Sequence, residues 1–275
     1  MNTVKQNLYE MNLYTNPEGK TPSNKWADRS VYEPDVTIVV ALFDGRNTSV
    51  PHSVGIYDES WVEKLYRGIA KNYKGLFEFV CLTDRNYKFK EPIKQLRFSR
   101  SVDQYGWMSL MEWYHPQVCN TRRITMGLDT IITGPLDDIF HCDLGDHKIG
   151  VCTDPIYPKD ICNAMTIAEP SFCTEFWDYW INNEKEVLRN CDLFPGAPSE
   201  MVVLRSLYGN SPCIDKLFPN RIFSYKTHIG SEDNLEYHSQ IDTRLWRLHN
   251  SSIIYFHGVP KPHEVKGRWV TENWI

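Results

Sequence analysis

The sequence predicts an α/β fold of one domain, a mostly parallel central sheet flanked by helices, on three observations. VTIVVALF (Val36–Phe43) is a continuous β-branched run of the kind buried on both faces of a parallel sheet. SWVEKLYRGIAKNYK (Ser60–Lys74) follows, with Trp61, Leu65 and Ile69 at helical spacing and Ser60 placed to cap. FEFVCLTD (Phe77–Asp84) is the next strand, and strand, helix, strand in this rhythm means crossover helices over parallel strands.

The remaining elements continue the pattern. IKQLRF (Ile93–Phe98) reads as a third strand and WMSLMEWY (Trp107–Tyr114) as a helix. RITMG (Arg123–Gly127) and TIIT (Thr130–Thr133) are strand-like runs flanking Leu128-Asp129. KIGVC (Lys148–Cys152) and AMTIA (Ala164–Ala168) are further strands. Helices are expected over Ser171–Asn182 and Ser199–Leu207, each with Ser at its N-cap, and IFSYK and IIYFH close the chain as short strands. Residues 1–34 are polar and read as an N-terminal extension. Residues 35–275 form the domain, with no internal repeat or linker.

Composition sets limits. The chain has 275 residues, 41% of them hydrophobic, with nine tryptophans and fifteen tyrosines, enough for one large core and for aromatic stacking on a ligand. A net charge of −5 argues against a protein whose main task is gripping nucleic acid. No apolar stretch is long enough to span a bilayer and the start lacks a signal-peptide core, so a cytoplasmic location is expected. The eight cysteines form no C-x-x-C pair and are expected to be buried, reduced thiols.

Open α/β sheets bind ligands where the carboxyl ends of their strands converge. Polar residues at these expected ends are Asp44, Asp84, Asp129, Asp154, Asn163, Lys226 and His257. Carboxylates, an imidazole and a lysine on one rim make a site for a divalent cation holding a diphosphate. Glycine-rich phosphate loops of the dinucleotide and P-loop types are absent from the sequence. Each residue also has a plain structural role to weigh. A strand-end Asp caps or turns, and Asp137 and Asp138 are expected to start the short helix DDIF. Lys226 and Lys261 can be solvated, and Glu200 after Ser199 favours a helix start.

MGLDTIITGPLDDIF (Met126–Phe140) resembles the metal-binding segment of GT-A-fold glycosyltransferases, especially the family 8 type. FHGVPKPHEV (Phe256–Val265) resembles their closing His-Gly-x-Pro-Lys-Pro segment. ICNAMTIAEP (Ile161–Pro170) and FPNRIFSYKTH (Phe218–His228) resemble two intervening segments in the expected order. The resemblance covers about Val36 to Trp274. It implies a GT-A-like single domain with a Rossmann-like sheet, a nucleotide-sugar donor, most often UDP-linked, and Mn²⁺ or Mg²⁺ on its diphosphate.

Carried over by the same resemblance, Ala41, Leu42, Phe43 and Asp84 line the nucleoside pocket and Asp129 and His257 ligate metal. Lys261, Lys226 and Gly258 meet the donor phosphates. Asp154, Asn163 and Glu200 face the transferred sugar or the acceptor as the catalytic set. The sequence departs from the pattern twice. Gly127 stands where the first acid of Asp-x-Asp is usual, which is expected to weaken metal binding with water filling the gap, and Leu110 stands where relatives often carry lysine.

The resulting expectation is a metal-assisted glycosyltransferase acting on a carbohydrate or a modified DNA base. A non-catalytic nucleotide-sugar-binding module is the alternative that Gly127 keeps open. A sugar-1-phosphate nucleotidyltransferase is less in keeping with ALFDGRNTSVPHS (Ala41–Ser53), which has a single glycine and a single arginine.

Overall fold

The computed structural model describes residues 33–44, 56–191, 198–230 and 238–275. All but the last two positions of the expected N-terminal extension lie outside the described residues.

Six strands form the central sheet: β1 (Val36–Leu42), β2 (Phe77–Thr83), β3 (Lys94–Arg97), β4 (Arg122–Met126), β6 (Ile149–Thr153) and β7 (Ile161–Ala168). Their order is β3-β2-β1-β4-β7-β6. β1, β2, β3 and β4 pair in parallel. β7 is antiparallel to both β4 and β6, so it alone runs against the rest of this sheet. Parallel pairing of β6 and β7 needs a crossover of a dozen or more residues, and only residues 154–160 separate them. The reversed strand follows from that short connection.

Helix α1 (Glu59–Asn72) crosses from β1 to β2. Asp58 caps it, accepting hydrogen bonds from Ser60 N (2.9 Å) and Ser60 Oγ (2.5 Å), so the cap lies two residues before the expected serine. Helices α2 (Val102–Tyr105), α3 (Asp137–Phe140), α4 (Pro170–Cys191), α5 (Glu200–Tyr208), α6 (Ile214–Leu217), α7 (His238–Asn250) and α8 (Arg268–Asn273) follow among the described residues. α4 outruns the expected Ser171–Asn182, with a break at Asn183, while α5 has Ser199 at its N-cap as expected. The stretch Gly106–Tyr114 is a 3₁₀ helix, and Met108 to Tyr114 are all buried. A segment enclosed on every side has no solvent face to hold an amphipathic α-helix pattern.

The sheet separates two cores. Ile38, Val40 and Leu42 pack with Trp61, Leu65 and Ile69 of α1 on one face. Val39, Val80 and Leu82 pack with Trp113, Phe172, Phe176 and Trp180 on the other. Each such buried side chain contributes roughly 1.5–3 kcal/mol relative to exposure. All eight cysteines are free and six are buried, in agreement with the expected reduced thiols.

The three remaining strands, β5 (Thr130–Ile132), β8 (Ile222–Ser224) and β9 (Ile253–Tyr255), form a second sheet in the order β5-β9-β8. β5 and β9 are antiparallel with Thr130 opposite Tyr255, and β8 is parallel to β9 with Ser224 opposite Tyr255. This pairing puts the start of β5 and the ends of β8 and β9 at one edge. Residues near 129, 226 and 257 therefore meet there despite their separation in sequence.

Candidate functional site

A cavity of about 530 Å³ opens beyond the carboxyl ends of β1 and β4. The strand order reverses between these two strands, because β1 leads outward to β2 and β3 on one side and meets β4 on the other. Such a switch point splays the following loops apart and leaves a crevice. Ala41 and Phe43 line it from β1 and its end, while Leu42, on the opposite strand face, is buried in the core with α1. Trp107 lies edge-on to Phe43 at 5.4 Å between ring centroids, and Leu110 lines the wall beside it.

The far wall comes from the second sheet. Phe256 N donates to Asp129 O at 3.0 Å, tying the entrance of β5 to the exit of β9. Asp129, His257, Gly258 and Lys261 all line the cavity. The carboxylate and the imidazole thus face one compartment. Gly258 takes φ +63°, a left-handed turn that a side chain would strain, and Lys226 Nζ lies 3.8 Å from where a Cβ on it would sit.

Asp129 is the centre of this wall. Its Oδ2 accepts a hydrogen bond from Tyr57 OH at 3.0 Å and is ion-paired with Lys261 Nζ. The pair is largely enclosed, Lys261 being 11% and Asp129 14% exposed at the side chain. Burial, then the Asp129 charge, raises the Tyr57 pKa, so its hydroxyl stays a donor to the carboxylate. The Lys261 ammonium lies 5.5 Å above the Tyr57 ring as well. His257 Nε2 is 2.8 Å from Ser224 Oγ, and burial followed by the Lys226 charge lowers the imidazole's pKa, leaving it neutral at pH 7.

The expected catalytic set divides. Asn163 lines the cavity near the start of the reversed strand β7, and its Nδ2 donates to Glu200 Oε2 at 2.6 Å. Glu200 is fully buried behind it, with Tyr114 OH at 3.5 Å, and burial pushes its pKa up to about 8. Its carboxyl is turned inward rather than serving only to start a helix. Asp154 also lines the cavity, but both its oxygens are engaged. Oδ1 accepts from Ile156 N (2.8 Å) and Tyr157 N (2.9 Å), and Oδ2 is ion-paired with Arg205. Asp84, expected in the nucleoside pocket, is not among the residues that line the cavity. Its Oδ2 accepts from Asp44 N at 3.2 Å and its Oδ1 from Tyr87 OH at 2.9 Å, which fixes the chain just after Phe43. Asp137 and Asp138 stand at the first turn of α3, as expected.

Sequence reasoning missed Tyr57, Arg205, Ser199 and Met201. Tyr57 precedes the α1 cap and Arg205 sits inside α5, so neither position carried a local signal.

Mg²⁺ wants near-octahedral oxygen ligation and Mn²⁺ similar hard donors. Here Asp129 Oδ2 holds Lys261 and Tyr57, both oxygens of Asp154 are engaged, and position 127 has no side chain, so the wall offers Asp129 Oδ1 and one His257 ring nitrogen. Among the described residues no cluster of three or more acids, histidines and cysteines is placed to hold a metal. This arrangement does not fit a divalent centre.

No protein-family model matches the chain, and no curated protein sequence matches it either. Solved structures do. The galactosyltransferase LgtC, in complex with donor and acceptor sugar analogues, matches with a TM-score of 0.51 at 12% identity. The match covers 82% of this chain and 88% of that one. The glycosyltransferase GlyE of Streptococcus pneumoniae TIGR4 matches at 0.57 and 12% identity over 88% of this chain. The bifunctional glycosyltransferase WbbM matches at 0.55 and 11% over 84%. The chain spans 47% of WbbM and 59% of GlyE. At such identities the likeness is one of architecture: the fold is the GT-A-like α/β fold of these glycosyltransferases. No described helix is long and apolar enough to cross a membrane.

Proposed function

We propose that the protein is a glycosyltransferase that moves a sugar from a nucleotide-sugar donor, UDP-linked, to a carbohydrate acceptor. The observation that carries this reading is the enclosed Lys261–Asp129–Tyr57 group on the wall of a cavity at the strand-order switch point. The cavity volume lies in the range of small-molecule sites. The net charge of −5 favours a carbohydrate over a nucleic-acid acceptor.

The chemistry follows from charge. As the bond from sugar C1 to the diphosphate breaks, negative charge grows on the departing phosphate oxygens. Lys261 supplies fixed positive charge and N–H donors there, in a site shielded from water, and Lys226 adds to it from beside Gly258. Asn163 gives its Nδ2 to Glu200, so its amide oxygen is the group left to accept from a sugar hydroxyl. Phe43 and Trp107 offer ring surface to the nucleoside base. Much of the remaining rate is expected from holding the acceptor hydroxyl against C1.

The test is donor consumption. A panel of nucleotide sugars is incubated with the protein, and released nucleoside diphosphate is followed by mass spectrometry. Consumption of a UDP-sugar, lost by about 10²–10³-fold in Lys261→Met, supports the reading. Consumption of none, by a protein that is folded, contradicts it.

A further inference from the structure

One conflict in the cavity wall calls for resolution. The fold and the closing segment lead one to expect a divalent cation, yet the side chain where that cation belongs is already neutralised from within the chain. We propose that Lys261, held in place by Asp129, occupies the role of the divalent cation, so that this chain binds a nucleoside diphosphate without metal. The proposal rests on the donor-site reading above and deepens it.

Position 127 carries the argument. A Cβ there would lie 2.7 Å from Asp129 Oδ1, closer than real Cβ contacts come. A side chain at 127 would therefore press the Asp129 carboxylate away from its present place. Glycine lets the Asp129 carboxylate fold back beside its own chain, where Tyr57 and Lys261 meet it. An acid at 127 would supply a second carboxylate and crowd the Asp129 carboxylate that holds Lys261.

The ammonium is suited to the role. It has three N–H donors and Asp129 takes one, so phosphate oxygens can be met without breaking the ion pair. Asp129 and the Tyr57 hydroxyl hold the long side chain in one place, which removes rotamer entropy that binding would otherwise have to overcome.

Isothermal titration of the full chain with UDP, GDP, CDP and ADP, in EDTA and again in Mn²⁺, tests this directly. At least one nucleotide is expected to bind in EDTA, with a Kd that Mn²⁺ changes by less than about threefold. Lys261→Gln is expected to weaken that binding about 10–100-fold in both buffers, the loss of one charge-assisted contact, with no rescue by Mn²⁺. Unfolding curves of the variant establish that it is folded. Tightening of about tenfold or more on adding Mn²⁺ to the wild-type protein overturns the proposal and leaves the donor-site reading standing. If no nucleotide binds in either buffer, the donor-site reading fails and the proposal falls with it.

Discussion

A single methyl group added at Gly127 should unlatch the cavity wall. In Gly127→Ala the new Cβ would stand 2.7 Å from Asp129 Oδ1, so the carboxylate must shift by several tenths of an ångström, roughly the excess over ordinary contact. The shift weakens the Oδ2 contacts with Lys261 and Tyr57. Each hydrogen bond to a charged group is worth about 1.5–3 kcal/mol when its partners are enclosed. Against this, replacing glycine outside the left-handed region returns about 0.4–1 kcal/mol through the unfolded chain, and Gly127 is not among the positive-φ glycines. With both contacts weakened rather than removed, the net expectation is a loss of about 1–2 kcal/mol. Urea unfolding reads it as a lower midpoint at unchanged slope. The double variant Gly127→Ala with Lys261→Met should fall short of additivity by about 1 kcal/mol, because both changes act on one contact. A neutral or stabilising Gly127→Ala, or strict additivity, refutes the coupling of residues 127, 129 and 261.

Three further outcomes are expected. Burial raises the Glu200 pKa from 4.5 to about 8, so the folded state holds a proton that the unfolded state releases. The resulting stability is fully present below pH 4.5 and is lost as pH rises through 8, with a span on the order of 4–5 kcal/mol. Glu112, raised to about 7 by burial, slopes the same way. Unfolding curves of wild type and Glu200→Gln across this window should therefore differ by the Glu200 share, and parallel curves would remove that reading. Arg123 is fully buried and donates to the carbonyls of Trp113, His115 (3.2 Å) and Cys119 (3.1 Å). Arg123→Leu strands these acceptors and should cost about 3–5 kcal/mol by urea titration, and a loss under 1 kcal/mol would contradict it. Because all eight thiols are free, dithiothreitol should leave the melting temperature unchanged, and a drop would reveal a disulfide.

Much of the parallel half was legible. The run Val36–Leu42 reads as a central strand because it is apolar on both faces, and the spacing of Trp61, Leu65 and Ile69 gives α1 its buried stripe. The reversal of β7 was not drawn from the sequence, although the short 154–160 connection contains its cause. The second sheet was less accessible still. Its strands are three residues each, too short to show a periodicity, and β5 pairs with β9 from Thr130 to Tyr255, far apart in the sequence. That pairing is nonetheless what places Asp129 beside His257 and Lys261.

Individual site residues divide for similar reasons. Asp129, Asn163, His257 and Lys261 line the cavity. Leu42 does not, because strand alternation turns it to the opposite face from Ala41 and Phe43. Asp154 looked free at a strand end, and only the fold brings Arg205 to it from α5. Glu200 carried a helix-start signal, and the structure buries it behind Asn163. Tyr57 had no sequence signal at all.

A structure of the protein with UDP bound tests the central claim most directly. The diphosphate is expected in the cavity between the ends of β1, β4 and β9, with phosphate oxygens within about 3 Å of Lys261 Nζ, the length of a charge-assisted hydrogen bond. A nucleotide seated elsewhere, or one in this cavity with its phosphates turned away from Lys261, contradicts it.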